Sequence, residues 1–106
     1  MSVHVNSLQQ YKDLLKENSR VIVDFTATWC GPCKTISPVF EELAKKTPNV
    51  RFLKVDVDEC SDVAQDENIQ SMPTFLAYHN GVKFDNFSGA NPAKLSDLVG
   101  KLNGLN

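Results

Sequence analysis

Two thiols stand two residues apart in the run Trp29, Cys30, Gly31, Pro32, Cys33, Lys34, and a pair so close can form a small-loop disulfide and open it again. The run sits at the seam between an apolar stretch, Val21 to Ala27, and an amphipathic helical pattern that starts near Cys33. A strand-to-helix turn there puts the first sulfur at a helix N-terminus, where unpaired backbone N–H groups and the helix dipole favour a thiolate. The thiolate is the attacking species in thiol–disulfide exchange, so the chemistry on offer is redox chemistry. Asp24 lies among Val21, Ile22, Val23 and Phe25, where a solvated carboxylate is not expected. Desolvation there raises a carboxyl's proton affinity and lets it exchange a proton near neutral pH; the plainer alternatives are an acid reaching water at a strand edge or one paired with Lys54.

The elements that must hold these groups are readable from periodicity. Ser7 with Gln10 forms a capping-box pattern, and Leu8, Tyr11, Leu14 and Leu15 follow at helical spacing to an end near Asn18. Arg20 to Thr26 is β-branched and nearly continuously apolar around one acid, as expected of a central strand covered on both faces. Ile36, Val39, Phe40, Leu43 and Ala44 line one face of the next helix, with Pro38 expected to kink it. Val50 to Val57 reads as a second buried strand and Asp62 to Asn68 as a short helix. Thr74 to Tyr78 and Val82 to Phe87 flank His79, Asn80 and Gly81 as an antiparallel hairpin. Asn91 then caps a helix with Pro92 at its first position and Leu95, Leu98, Val99 and Leu102 facing inward. The order β α β α β α β β α gives one α/β domain over 1–106, a mixed sheet with helices on both faces. Sites in such sheets lie beyond the carboxyl ends of central strands, where Cys30 falls.

Composition narrows the function classes. The chain has 106 residues, 42% hydrophobic and 23% charged, enough for one globular core without a disulfide scaffold. A formal net charge of -2 with no basic stripe argues against nucleic acid as a partner. No apolar run approaches the roughly 18 residues that a membrane span needs, and Met1 to Asn6 lacks the features of a signal peptide, so a soluble cytoplasmic protein is expected. Three cysteines in a reducing compartment suggest a working dithiol plus one spare. Zinc is not expected, because Cys60, His4 and His79 stand at spacings that fit no structural site. No G-x-G-x-x-G follows a strand, so no nicotinamide site is expected in the chain itself.

Trp29 to Lys34, with Asp24 in the preceding strand, Lys54 in the next, Met72, Pro73 and Thr74 downstream and Phe87 to Ala90 later, resembles the thioredoxin family along essentially the whole chain. The resemblance implies the thioredoxin fold, with a central mixed β-sheet of about five strands, and protein-disulfide reduction by dithiol exchange. It implies that Cys30 is the exposed nucleophile, Cys33 the resolving thiol and Asp24 the base that activates Cys33, with Lys54 as its nearby charge partner. Gly31 and Pro32 then shape the turn, and Pro73 follows a cis bond. Trp29, Met72 and Gly89 form an apolar docking patch. Pro32, where disulfide isomerases of this fold carry histidine, suggests a reductant. Electrons are expected from a thioredoxin reductase, so that NADPH and FAD act through that partner and no cofactor is bound here. Peroxiredoxin, methionine sulfoxide reductase and ribonucleotide reductase are the implied acceptors.

Two features stand outside the motif. Cys60 is expected to be a buried inert residue, with a regulatory thiol open to oxidation as the alternative. The position before Met72, which carries a cysteine in some animal members of the family, is Ser71 here, so a regulatory disulfide through it is unavailable. Asp56, Asp58, Glu59, Asp62, Asp66 and Glu67 make one segment acidic, expected to be a solvated face or, if it borders the site, a surface that steers basic partners.

Overall fold

The computed structural model describes all residues, Met1–Asn106. Its elements follow the expected order: β1 (Val3–His4), α1 (Leu8–Glu17), β2 (Arg20–Thr26), α2 (Gly31–Lys46), β3 (Arg51–Asp56), α3 (Ser61–Asp66), β4 (Thr74–His79), β5 (Val82–Ser88) and α4 (Pro92–Asn103). One five-stranded sheet runs in the spatial order β1-β3-β2-β4-β5. β1 and β2 each lie parallel to β3, while β4 is antiparallel to both β2 and β5.

β2 is central, which explains its almost unbroken apolar sequence. Side chains alternate across a strand. Val21, Val23 and Phe25 therefore enter one core cluster, shared with Tyr11, Leu53, Val55 and Val63, while Ile22 enters the other with Ile36, Phe40, Phe52, Phe75, Leu95 and Leu102. Asp24 has the parity of Ile22 and so lies on the α2 and α4 side of the sheet. On that side Phe40 packs edge-on to Phe52 at 5.1 Å, and Phe75 stacks with Phe87 at 5.0 Å, fixing α2 and β5 against the strands between them.

The helix starts follow local chemistry. Ser7 Oγ accepts the Gln10 N–H at 3.1 Å, but Gln10 Oε1 accepts the Asn6 N–H at 2.6 Å, so the return arm of the capping box closes one residue earlier than the motif prescribes. Asn91 Oδ1 accepts the Lys94 N–H at 3.0 Å, with Pro92 in the first turn. α2 passes through Pro38 without ending there. His79 belongs to β4, leaving a two-residue hairpin turn in which Asn80 (φ 53°) and Gly81 (φ 80°) both take the left-handed conformation.

The acidic segment keeps its expected solvated face at Asp58, Glu59, Asp62 and Asp66, which are exposed, while Asp56 and Glu67 turn inward. Asp56 is buried and its Oδ1 accepts the backbone N–H groups of Asp58 (2.8 Å) and Glu59 (3.1 Å), folding the chain back after β3. Glu59 pairs with His4 at 2.8 Å. Glu67 accepts the phenol O–H groups of Tyr11 and Tyr78 and lies 3.3 Å from Lys83 Nζ. Burial first, then the hydrogen bond to Glu67 and its charge, pushes both phenols well above their usual range, so they stay neutral donors. Asp56, Glu59 and Glu67 act as turn and network residues because each receives donors from the following turn or from distant parts of the chain.

Candidate active site

Cys30 is the N-cap of α2 and its Sγ accepts the Cys33 N–H at 3.2 Å. Cys30 and Cys33 are joined as a disulfide, with Cα atoms 5.3 Å apart. The expected turn is thus present, with Gly31 and Pro32 exposed in the first helical turn. One expectation needs correction: Cys30 is buried, at 5% exposure, because it packs with Ala27 and Cys33 while Met72 and Val57 close over them. An N-cap sulfur turned onto its own helix end is shielded by that helix and by the facing loop. The side chain at this rim that does face solvent is Trp29, 66% exposed, its indole N–H donating to Asp58 Oδ2 at 2.8 Å.

The facing loop is the one expected downstream. Met72 and Pro73 are joined by a cis peptide bond, and the Pro73 carbonyl accepts the Gly89 N–H at 2.9 Å, tying this loop to the end of β5. Gly89 has φ 105°, a conformation that a side chain would strain, which accounts for glycine there. Met72 packs against the cysteine pair, while Trp29 lies outside that cluster.

Asp24 is 1% exposed and its Oδ1 has no hydrogen-bond partner. Burial pushes its carboxyl up to about 7; the Lys54 charge works against that rise and the Glu41 charge adds to it. Lys54 is the cross-strand neighbour of Asp24 in the β2–β3 register. Its ammonium nevertheless donates to Ser37 Oγ at 2.9 Å and pairs with Glu41 Oε2 at 3.3 Å. The ion pair of Lys54 is with Glu41, and Asp24 makes none. Glu41 was not singled out by sequence reasoning; only its position one turn beyond Ser37 on α2 hinted that it faces β3. Burial raises the Glu41 carboxyl, but hydrogen bonds from Ser2 and the Lys54 charge outweigh it and hold it below its usual value.

A cleft of about 280 Å³ opens beside this network, and Cys33, Ser37, Lys54, Asp56 and His4 are among its lining residues. Cys60 lies elsewhere, 3% exposed in the α1–α3 core, its thiol donating to the Val5 carbonyl at 3.4 Å. Burial, then the charges of Asp62, Glu59 and Asp56, pushes that thiol up. The place of Cys60 in that core cluster, with its thiol pushed up, favours the buried, inert reading over the regulatory one.

A buried cysteine pair at the start of the helix that follows the central strand, joined as a disulfide and faced by an X-Pro-Thr loop, defines a protein built for dithiol–disulfide exchange. The Thioredoxin family model matches residues 2–101, and the chain belongs to that family. It is 50% identical over 100 residues to Thioredoxin-2 of Pyricularia oryzae, a match covering 93% of this chain and 58% of that longer protein. The solved structure of Plasmodium falciparum thioredoxin is 48% identical, with a TM-score of 0.90 over 92% of this chain and 96% of that one. A chain solved in work on thiol resolution in yeast mitochondrial 1-Cys peroxiredoxin via glutathione and thioredoxin systems is 37% identical, with a TM-score of 0.91 over 95% of both chains. The mixed sheet flanked by helices is the thioredoxin fold.

Proposed function

We propose that the chain is a protein-disulfide reductase in which Cys30 attacks and Cys33 resolves. The observation that carries this division is the Cys30 Sγ position as N-cap acceptor of the Cys33 N–H: once the disulfide is reduced, that N–H and the α2 dipole favour a thiolate on Cys30. The Cys30 thiolate displaces one sulfur of a client disulfide, forming a Cys30–client bond and releasing a client thiolate that takes a proton from water. Cys33 then gives its proton to ionised Asp24 and attacks Cys30 Sγ. The Cys30–Cys33 bond forms, the mixed disulfide breaks, and the second client sulfur leaves. Two electrons pass to the client, and a reductant must return two electrons and two protons.

By family analogy that reductant is a thioredoxin reductase, a flavoprotein drawing on NADPH, and the chain itself needs no bound cofactor. Disulfide-bearing proteins are the client class, with peroxiredoxins supported by the peroxiredoxin named in the work on one structural relative, and methionine sulfoxide reductase and ribonucleotide reductase as further candidates. Trp29, Met72 and the backbone at Pro73 and Gly89 would meet the client. No helix is long and apolar enough to cross a membrane, and a reducing compartment such as the cytoplasm would suit the cycle.

Trapping tests the assignment. Cys33→Ser should accumulate mixed disulfides with a disulfide client and Cys30→Ser almost none, while the unaltered chain should couple insulin reduction to NADPH consumption by thioredoxin reductase. Reversed trapping, or no coupled turnover, would sink the proposal.

A further inference from the structure

The polar chain that ends at Lys54 begins at Ser2, just before β1, the strand that pairs with β3 beside Lys54. The Ser2 N–H and Oγ–H donate to the two oxygens of Glu41 at 3.2 and 2.6 Å. Glu41 Oε2 in turn holds Lys54 Nζ at 3.3 Å, and Ser37, one helical turn earlier, accepts from the same ammonium at 2.9 Å. Lys54 is 22% and Glu41 34% exposed, so the pair is partly shielded from solvent. Asp24, across the β2–β3 ladder from Lys54, keeps an oxygen without a partner.

A lysine stem is flexible and its ammonium is a compact charge that can turn toward either acid. An ionised carboxylate buried without partners is the costlier of the two to leave bare, so the ammonium would be expected at Asp24 unless something holds it elsewhere. Three groups hold it: Glu41 by charge, Ser37 by its hydroxyl, and Ser2 by fixing Glu41 in place. We propose that Glu41 is a positioning residue that draws the Lys54 ammonium toward α2 and thereby leaves Asp24 free to accept and return the proton of Cys33. This rests on the reading of Asp24 as the base. Glu41 touches neither cysteine nor client; it acts through Lys54, and Ser2 links the first residues of the chain to the site.

The other charged groups around Asp24 do not supply this control. The β4 neighbour is Phe75, and the buried side chains of α4 are apolar. His4, Lys34, Asp56 and Glu59 line the cleft shared with Lys54 and Cys33, but none lies within ion-pair distance of Lys54. The direct field of Glu41 on Asp24 also acts to raise its proton affinity, in the same sense as the capture of Lys54.

The test is the carboxyl titration of Asp24, followed by ¹³C chemical shift in the oxidised protein, where neither Cys30 nor Cys33 ionises; the Asp24→Asn chain identifies the signal. Glu41→Gln keeps the shape but releases Lys54, so the Asp24 midpoint should fall by about half to one pH unit. Glu41→Asp, which keeps the charge, should shift it less. Lys54→Gln should move the midpoint up, and adding Glu41→Gln to it should have a smaller effect than Glu41→Gln alone, because the shared partner is gone. A midpoint that stays put or rises in folded Glu41→Gln overturns the proposal, as does full additivity in the double variant. The pH profile of mixed-disulfide resolution separates the two levels. If the titration shifts as expected but the profile does not follow, Glu41 positions Lys54 and Asp24 is not the base.

Discussion

The Trp29 indole N–H donates to Asp58 Oδ2 at 2.8 Å, fastening the most exposed ring at the site to the turn that follows β3. Asp58 is itself held through its backbone N–H by buried Asp56. The orientation of the rim is therefore set by a strand end rather than by packing under the ring. An exposed neutral-to-charged hydrogen bond contributes little to stability, so Asp58→Ala should change unfolding free energy by less than about 1 kcal/mol. The freed ring should dock clients less well, with kcat/KM for insulin reduction falling about 2- to 10-fold. Asp58→Asn, which retains an acceptor, should keep most of the activity. Equal kcat/KM in Asp58→Ala and the unaltered chain would show that the ring needs no fixed orientation.

Asp24 gives a stability signature with a definite sign. Its ordinary carboxyl value of 3.8 is pushed up to about 7 in the fold, by burial first. Between those values the native state holds a proton that the unfolded chain has released, so stability falls as pH rises through the window and levels off above it. The loss is on the order of 4 kcal/mol from one end to the other, reduced by any relaxation that lets water reach the carboxylate. Asp24→Asn should flatten this slope and be more stable than the unaltered chain near pH 8. At about pH 4 the difference should vanish or reverse, since a buried amide also needs partners. Denaturant midpoints measured across this range check it; parallel pH dependences in the two chains would mean that Asp24 is not desolvated in solution.

How far the sequence reaches is clear from particular residues. β2 was legible end to end because a central strand writes its two buried faces into consecutive residues, and the one acid among them announced a desolvated carboxyl. Cys30, Gly31, Pro32 and Cys33 were legible because local spacing and turn chemistry define them. What escaped depends on contacts between distant segments. Glu41 and Ser2 are 39 residues apart, and nothing local says that one receives two hydrogen bonds from the other. Burial of Cys30 arises from Met72 and Val57 on other loops, whereas a turn position by itself suggests exposure. The family resemblance puts Lys54 near Asp24 and the β2–β3 register bears that out, but its choice of Glu41 is decided by a helix that crosses above the sheet. The acidic segment divides the same way: the exposure of Asp58, Glu59, Asp62 and Asp66 follows from charge density along the chain, whereas Asp56 as a turn cap and Glu67 as acceptor of distant donors do not.

Cys60 supplies a prediction about what the redox cycle leaves out. It sits among Val5, Tyr11, Leu53 and Val63 with its thiol on the Val5 carbonyl, and its raised proton affinity leaves little thiolate for exchange. Cys60→Ser keeps a donor for that carbonyl, although a hydroxyl is less at home than a thiol in an apolar cluster. The variant should lose about 1 kcal/mol of stability and show reductase-coupled turnover equal to the unaltered chain. In the reduced native protein a small alkylating reagent should modify Cys30 first, because the α2 N-terminus favours its thiolate, and reach Cys60 only at the rate at which the α1–α3 core opens, so added denaturant should accelerate Cys60 far more than Cys30. Mass mapping of the alkylated sites over time distinguishes the two. Labelling of Cys60 as fast as Cys30 without denaturant, or loss of turnover in folded Cys60→Ser, would make the third cysteine a working thiol.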